Sequence, residues 1–277
     1  MQNFRTGGNL SLKVAVGTPS CLGRWENACT GEKNSSEINA SIAAWHLSFP
    51  AVTLYVVATS IGNLGDISPR AIETLRAADC IICEDSRVSS KILDKFGIKK
   101  PLLICRDDNE VRILGKVLDF LMEGKNVCLI SDAGTPCISD PGFKLVRACR
   151  NQCIKVEAIP GPCAAIGALS ISGLPTDGFL FAGFLPSKKS ARVNFFRKYA
   201  EFDYTLIFYE SCHRITKFLD DAQEVFDSER VIFVAKELTK LHETFWIGKL
   251  PIVREKMATA SMKGEFVVII APSRFAM

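Results

Sequence analysis

Residues 131–142 read Ser-Asp-Ala-Gly-Thr-Pro-Cys-Ile-Ser-Asp-Pro-Gly, and no other segment constrains the fold as much. The apolar, β-prone run 127–130 empties into it, and a helical pattern starts directly behind. Ser139 or Asp140 is suited to cap that helix, with Pro141 at its first position, where no backbone N–H is required. At a strand end, Gly134 lets the backbone approach a ligand closely. Asp132 offers a charged acceptor and Thr135 a short hydroxyl. Small residues in a tight loop after a strand are the means by which open α/β sheets hold small ligands.

From Leu54 onward the alternation is regular. Apolar, β-rich runs occupy residues 54–58, 80–83, 127–131, 154–159, 179–185, 206–210, 231–237 and 266–271. Segments of helical period lie between many of them. The clearest is 68–78, with Ser68 as cap, Pro69 in the first turn, and Ile72, Leu75 and Ala78 on one face. Strands alternating with helices predict an α/β fold with mixed, largely parallel sheets. Two sheets suit 277 residues better than one. Ile159-Pro160-Gly161-Pro162 is a rigid punctuation that opens a helix over 163–171. It divides the chain into α/β domains at 51–160 and 161–277.

Residues 1–50 mix Gly, Ser, Asn and Thr without sustained period, which predicts a poorly ordered extension. A transit peptide is the sharper alternative, and Glu26, Glu32 and Glu37 count against it, because such peptides are poor in acids. The net charge of +4 permits contact with nucleic acid without demanding it. Eleven cysteines follow no secretory apolar region, and several sit inside strand-like runs. Cys80 and Cys83, three apart on a strand, point to opposite faces and have no second ligand pair nearby, so no metal site is expected. Buried free thiols in a reducing, cytoplasmic compartment account for them, or in an organelle if residues 1–50 are a transit peptide. No apolar run approaches the roughly 20 residues of a membrane span.

The usual nucleotide fingerprints are missing: neither a P-loop nor a Gly-x-Gly-x-x-Gly follows a strand. The first strand instead meets Ser-Ile-Gly-Asn-Leu-Gly-Asp at 60–66. Together with 131–142 and the Pro160 turn, it gives three Gly/Pro-rich loops able to surround one ligand. Glu84-Asp85-Ser86-Arg87 places two carboxylates and a guanidinium directly after a buried strand. They are there either as an internal ion pair or to bind something. Glu210-Ser211-Cys212-His213-Arg214 has the same placement, and His213 with Arg214 at a helix start suits a phosphate. From Gly178 to Ala200 there is no acidic residue, while Lys188, Lys189, Arg192, Arg197 and Lys198 are all basic. That stretch reads equally as a solvated helix face or as a contact for a phosphate backbone.

Taken together and in order, these segments resemble a known family. They are Ser60 to Asp66, Glu84 to Arg87, Ser131 to Gly142, Pro160 to Ala165, Gly173 to Asp177, Gly183 to Pro186, Phe208 to Arg214, Lys236 to Lys240 and Lys263 to Phe266. The chain resembles, over about residues 52–271, the small-subunit ribosomal RNA methyltransferase I family of the tetrapyrrole methylase superfamily. The resemblance implies a non-Rossmann methyltransferase fold with S-adenosylmethionine held in a cleft between two α/β domains. It implies a homodimer, acting on small-subunit rRNA or the assembled subunit, that makes 2′-O-methylcytidine in the decoding region. By motif position the cofactor meets Ile61, Gly62, Asp132, Ala133, Gly134, Thr135, Pro162, Cys163 and Ala164.

The chain departs from the family pattern in three places. Ser60 stands where the family has proline, Ser86 replaces a threonine, and Val88 and Arg106 to Glu110 lack the family's histidines. With those histidines missing, the base is expected among Glu84 and Asp85, oriented by Arg87, with Lys236 or Arg214 as electrostatic helper. RNA contacts are expected from Lys188, Lys189, Arg192, His213 and Arg214. A corrinoid or other tetrapyrrole methyltransferase, and an RNA-binding relative without catalysis, are the competing readings.

Overall fold

The computed structural model describes residues 52–276, so the expected N-terminal extension at 1–50 lies outside the described residues. The first half runs β1 (Thr53–Val57), α1 (Pro69–Ala77), β2 (Cys80–Cys83), α2 (Ser86–Lys95), β3 (Leu102–Ile104), α3 (Glu110–Met122), β4 (Val127–Leu129), α4 (Phe143–Asn151) and β5 (Lys155–Ile159). The second runs α5 (Ala164–Ile171), β6 (Phe179–Phe184), α6 (Lys189–Lys198), β7 (Thr205–Ser211), α7 (Ile215–Gln223), β8 (Val231–Lys236), β9 (Thr244–Lys249), α8 (Leu250–Ala258) and β10 (Glu265–Ile270).

Each half builds its own five-stranded sheet. The first has the order β3-β2-β4-β1-β5 and is parallel throughout. Its central strands are covered on both faces, which is why β2 reads as an unbroken apolar run. The second has the order β6-β7-β10-β8-β9; β6 pairs parallel to β7, and the other pairings are antiparallel. Across both sheets five of eight pairings are parallel, as the alternation of runs predicts. All the apolar runs of the sequence are strands; β3 and β9, two edge strands, lie outside them.

Two apolar layers flank each sheet. Leu54, Leu129, Val117 and Leu145 pack on one face of the first, and Val57, Ile81, Ile130 and Leu75 on the other. In the second, Phe196, Phe208 and Phe218 meet edge-on at centroid separations of 5.1–6.0 Å. Its opposite face takes Ala165, Ala168 and Leu169 of α5, so that helix belongs to the second sheet's core. Cys80, Cys83 and Cys128 are buried free thiols, and burial pushes Cys128 up to about 12.

Helix starts show how local sequence rules fare. Ser68 caps α1, accepting from the Ala71 N–H at 3.1 Å, with Pro69 in the first turn as expected. The helix behind the 131–142 loop does not start as expected. Neither Ser139 nor Asp140 caps it, and Pro141 lies outside. Gly142, at φ 124°, is its N-cap and α4 begins at Phe143. The reason is tertiary: the buried Glu110 carboxylate of α3 accepts from the Leu145 N–H at 3.0 Å and supplies the cap from another element.

Candidate active site

The carboxyl ends of β1, β4 and β5 open into the three Gly/Pro-rich loops, and hydrogen bonds tie these into one floor. The Thr59 N–H donates to the Gly134 carbonyl at 2.8 Å, and the Gly134 N–H to the Ser60 carbonyl at 3.2 Å. Thr135 Oγ1 donates to the Pro162 carbonyl at 3.0 Å. Gly134 sits at φ 78°, and a Cβ there would lie 3.1 Å from Ile61 Cγ2 and 3.4 Å from the Pro162 oxygen. Only glycine lets these loops close on one another.

Above this floor lies a cleft of about 260 Å³. Ile61, Ala133, Gly134, Thr135, Cys163 and Ala164 line it from the floor, so six of the nine residues expected at the cofactor are brought together. The other three adjoin it. Gly62 lies beneath the Lys240 side chain, Pro162 receives the Thr135 bond, and Asp132 Oδ1 accepts from the Asp85 N–H at 3.1 Å. Ser139 and Asp140, at the far end of the 131–142 loop, complete this side. Cys137 and Ser139 hold left-handed backbone there, at φ 69° and 63°, a conformation that costs non-glycine residues energy.

The second sheet supplies the opposite wall with the carboxyl ends of β6, β7 and β8 and the start of β10: Phe184, Tyr209, Glu210, Ala235 and Val267. Tyr209 ties this wall to α5, its Oη accepting from the Ala165 N–H at 3.1 Å at the start of that helix. Burial pushes its phenol well above the usual tyrosine range, so it stays protonated across the physiological range. Lys240, half-buried, reaches the cleft through a loop in which Glu237 and Thr239 adopt φ 53° and 67°. Its Nζ bonds Glu237 at 3.0 Å and Glu265 at 2.7 Å. Phe184, Tyr209, Glu210, Lys240 and Glu265 lie in the segments 183–186, 208–214, 236–240 and 263–266, and Ala235 and Val267 directly adjoin them; these segments mark strand ends in the sequence but give no role for Tyr209, Lys240 or Glu265.

The residues expected to be catalytic lie away from the cleft. None of Glu84, Asp85, Arg87 and Lys236 lines the cleft. Asp85 caps α2 and is gripped by Arg87, which bonds both its carboxylate oxygens; that guanidinium holds its carboxyl well below the usual carboxylate range. A group so acidic is a poor proton acceptor. Glu84 adjoins Asp132, and burial followed by that neighbouring charge raises its carboxyl. Lys236 points to the far side of β8 and donates to the Ser261 carbonyl at 2.6 Å. Side chains alternate across a strand, so Ala235 rather than Lys236 faces the cleft.

The expected RNA contacts separate likewise. Lys188 and His213 are exposed. Lys189 pairs with Glu224 at 2.5 Å. Arg192 is buried and spent inside the protein: its Nε donates to Asp221 at 2.6 Å and its Nη1 to the Pro186 and Ser187 carbonyls at 3.2 Å. Arg214 turns inward to the Leu185 carbonyl and to Glu210, 3.2 Å away. Neither arginine is presented to a polyanion.

The apolar floor, the few convergent polar groups and the carboxylates around the rim form a site suited to a mid-sized, partly cationic ligand. Comparison with known proteins gives the family. The family model of tetrapyrrole (corrin/porphyrin) methylases matches residues 53–253. The chain is 48% identical over 220 residues to a ribosomal RNA small subunit methyltransferase I of Xylella fastidiosa, covering 79% of this chain and 81% of that one. It is 49% identical over 219 residues to the protein of that name from Haemophilus influenzae, covering 78% and 77%. Among solved structures, the cobalamin biosynthetic enzyme cobalt precorrin-4 methyltransferase superposes with a TM-score of 0.60 at 15% identity, covering 80% of this chain and 95% of that one. The chain therefore belongs to the tetrapyrrole methylase family, and within it to the ribosomal RNA small subunit methyltransferase I group.

Proposed function

We propose that this chain transfers a methyl group from S-adenosylmethionine to the ribose 2′-hydroxyl of a cytidine in the decoding region of small-subunit rRNA. The observation that carries the reading is the cleft itself. Residues chosen from sequence for a cofactor line one wall, the opposite wall comes from the other sheet, and relatives of that named activity match over about four-fifths of the chain.

The donor set fits the cofactor. Thr135 and the loop backbone offer polar contacts, Ile61, Ala133 and Ala164 an apolar bed, and the nearby carboxylates favour a cation. When bound, S-adenosylmethionine supplies a methyl group made electrophilic by a sulfonium. The protein aligns the acceptor oxygen with that methyl, excludes water between the sheets, and provides a destination for the hydroxyl proton. Lys240 replaces Lys236 as the cation at the site, and Lys188 and His213 remain the contacts for phosphate.

Residues 51–160 and 161–277 act in this reading as two α/β domains, since neither sheet takes a strand from across Pro160. A homodimer working in the cytoplasm, on rRNA or the assembled subunit, completes it. No helix among the described residues is long and apolar enough to cross a membrane.

Mass-spectrometric mapping of ribose methylation in rRNA from cells with and without the protein tests the assignment. Loss of one 2′-O-methylcytidine supports it. Unchanged rRNA with methyl transfer to a corrinoid places the chain with the tetrapyrrole enzymes. Absence of cofactor binding in calorimetry makes it an RNA-binding protein.

A further inference from the structure

The cleft poses a problem in proton accounting. A ribose hydroxyl is a weak nucleophile, and its proton must go to a group that is deprotonated, accessible and not already committed to a cation. Five of the six ionisable side chains lining the cleft fail on geometry or charge. Tyr209 keeps its proton and accepts from Ala165. Lys240 is held as a cation between Glu237 and Glu265, and Glu265 is committed to it. Glu210 has no exposed side-chain surface, accepts from the Ser211 N–H and faces Arg214. Cys163 is turned against the Tyr209 phenol at 3.9 Å.

Asp140 is the exception. It lines the cleft, is half-buried, and forms no ion pair among the described residues. Its loop has unusual backbone: Cys137 and Ser139 hold the costly left-handed conformation, and Gly142 turns at φ 124°. Strain of this kind persists only where surrounding structure enforces it, and here it turns one carboxyl towards the space between the two sheets. Ser139 also reaches the second sheet, its Oγ lying 2.7 Å from where a Cβ on Gly183 would sit.

Resting on the ribose-hydroxyl reading above, we propose that Asp140 is the catalytic base that takes the proton from the acceptor hydroxyl. The O–H bond breaks as the oxygen–methyl bond forms. The proton ends on the Asp140 carboxylate and leaves to solvent, and the pair of the broken carbon–sulfur bond stays with the donor sulfur as a thioether.

The electrical surroundings suit the task. Burial is the first cause pushing the Asp140 carboxyl up to about 6, with the Ser131 hydroxyl opposing and Glu84, Asp132 and Asp107 adding to the rise from the ends of β2, β4 and β3. Cys137 on its own loop and Tyr209 across the cleft also face it. A base with that affinity is ionised at neutral pH yet holds a proton well once it arrives. The negative neighbours explain why Glu84, though raised, is not itself the acceptor: it is outside the cleft and acts on Asp140 through space.

The test is D140N in the full-length protein. Single-turnover methylation of small-subunit rRNA is followed between about pH 5 and about pH 8, donor binding is measured by calorimetry, and the carboxyls are titrated by 13C NMR of aspartate-labelled protein. D140N is expected to lower the transfer rate by about 100-fold or more while donor affinity stays within about threefold. One aspartate resonance with a midpoint near about 6 is expected to vanish in D140N, and the wild-type rate to rise with pH through that midpoint. A D140N rate within about threefold of wild type, with wild type active on ribose, overturns the assignment of Asp140 alone. If D140N does not fold, the wild-type profile decides: a rate flat between about pH 5 and about pH 7 overturns the assignment. Wild-type protein that methylates no ribose overturns the substrate reading and the assignment with it.

Discussion

Thr135 Oγ1 donates to the Pro162 carbonyl at 3.0 Å, and this bond joins the loop after β4 to the turn that leads into α5. Both ends of the bond belong to the cleft floor, so Thr135→Val removes a tie without changing shape. The expected loss is about 1 kcal/mol, or about fivefold in donor affinity by calorimetry, with the unfolding midpoint little changed. Unaltered affinity counts against the floor being preorganised by this bond.

Gly134→Ala is expected to be more severe. The residue sits at φ 78°, where an alanine costs about 1–2 kcal/mol, and its Cβ would press on Ile61 and the Pro162 oxygen. Donor affinity is predicted to fall at least about tenfold, whereas circular dichroism stays native.

Two lysines four residues apart are predicted to behave differently. Lys240→Met leaves Glu237 and Glu265 facing each other at the cleft and is expected to weaken turnover on RNA by about tenfold or more. Lys236→Met removes only the bond to the Ser261 carbonyl and is expected to cost about 1–2 kcal/mol in urea unfolding, with donor affinity within about twofold. The reverse pattern would show that the far side of β8 is the working one.

Arg192→Ala strands the buried Asp221 carboxylate and is expected to destabilise the protein by about 3–5 kcal/mol. Where the protein still folds, the salt dependence of RNA binding is predicted to be that of the wild type. Lys188→Glu, at an exposed position, should instead flatten that dependence and leave the unfolding midpoint nearly unchanged.

The raised carboxyl of Asp140 has a stability signature with a definite sign. Its folded affinity for a proton, about 6, exceeds the unfolded value of 3.8, so the folded state binds more protons between those values. At neutral pH the buried charge opposes folding by up to about 3 kcal/mol, and that cost fades as pH falls through about 6 towards about 4. D140N is therefore predicted to raise the melting temperature at pH 7 and to lose the advantage below about pH 4. A variant less stable than wild type at neutral pH argues against the strained, desolvated placement of this side chain.

The sequence announces the parallel first sheet plainly, because a strand buried on both faces, such as Cys80–Cys83, must be apolar at every position. It conceals β3 and β9 for the opposite reason. Leu102–Ile104 is too short to show a period, and Thr244–Lys249 is a half-exposed edge whose Phe245 and Ile247 sit among polar residues. The floor of the cleft is legible because glycine and proline mark backbone that must bend. The opposite wall is not, since which of two adjacent residues faces a cleft depends on strand register. Ala235 and Lys236 differ by one position and face opposite ways. Lys240 enters the cleft only through the left-handed turns at Glu237 and Thr239, which no residue type there foretells. Arg192 looked like a surface cation because its partner Asp221 is 29 positions away.

The order of strands in the second sheet carries a consequence for how the protein is made. β10 is the last of the ten strands among the described residues to be synthesised, yet it lies in the middle of its sheet, hydrogen-bonded to β7 on one side and β8 on the other. Until Glu265–Ile270 clears the ribosome, β7 and β8 lack their shared neighbour and the cleft lacks part of its wall. The parallel half, complete by Ile159, can fold while translation continues; the antiparallel half must wait. A chain interrupted before β10 is thus predicted to be a folded cleft floor without its opposite wall, silent towards RNA rather than partly active.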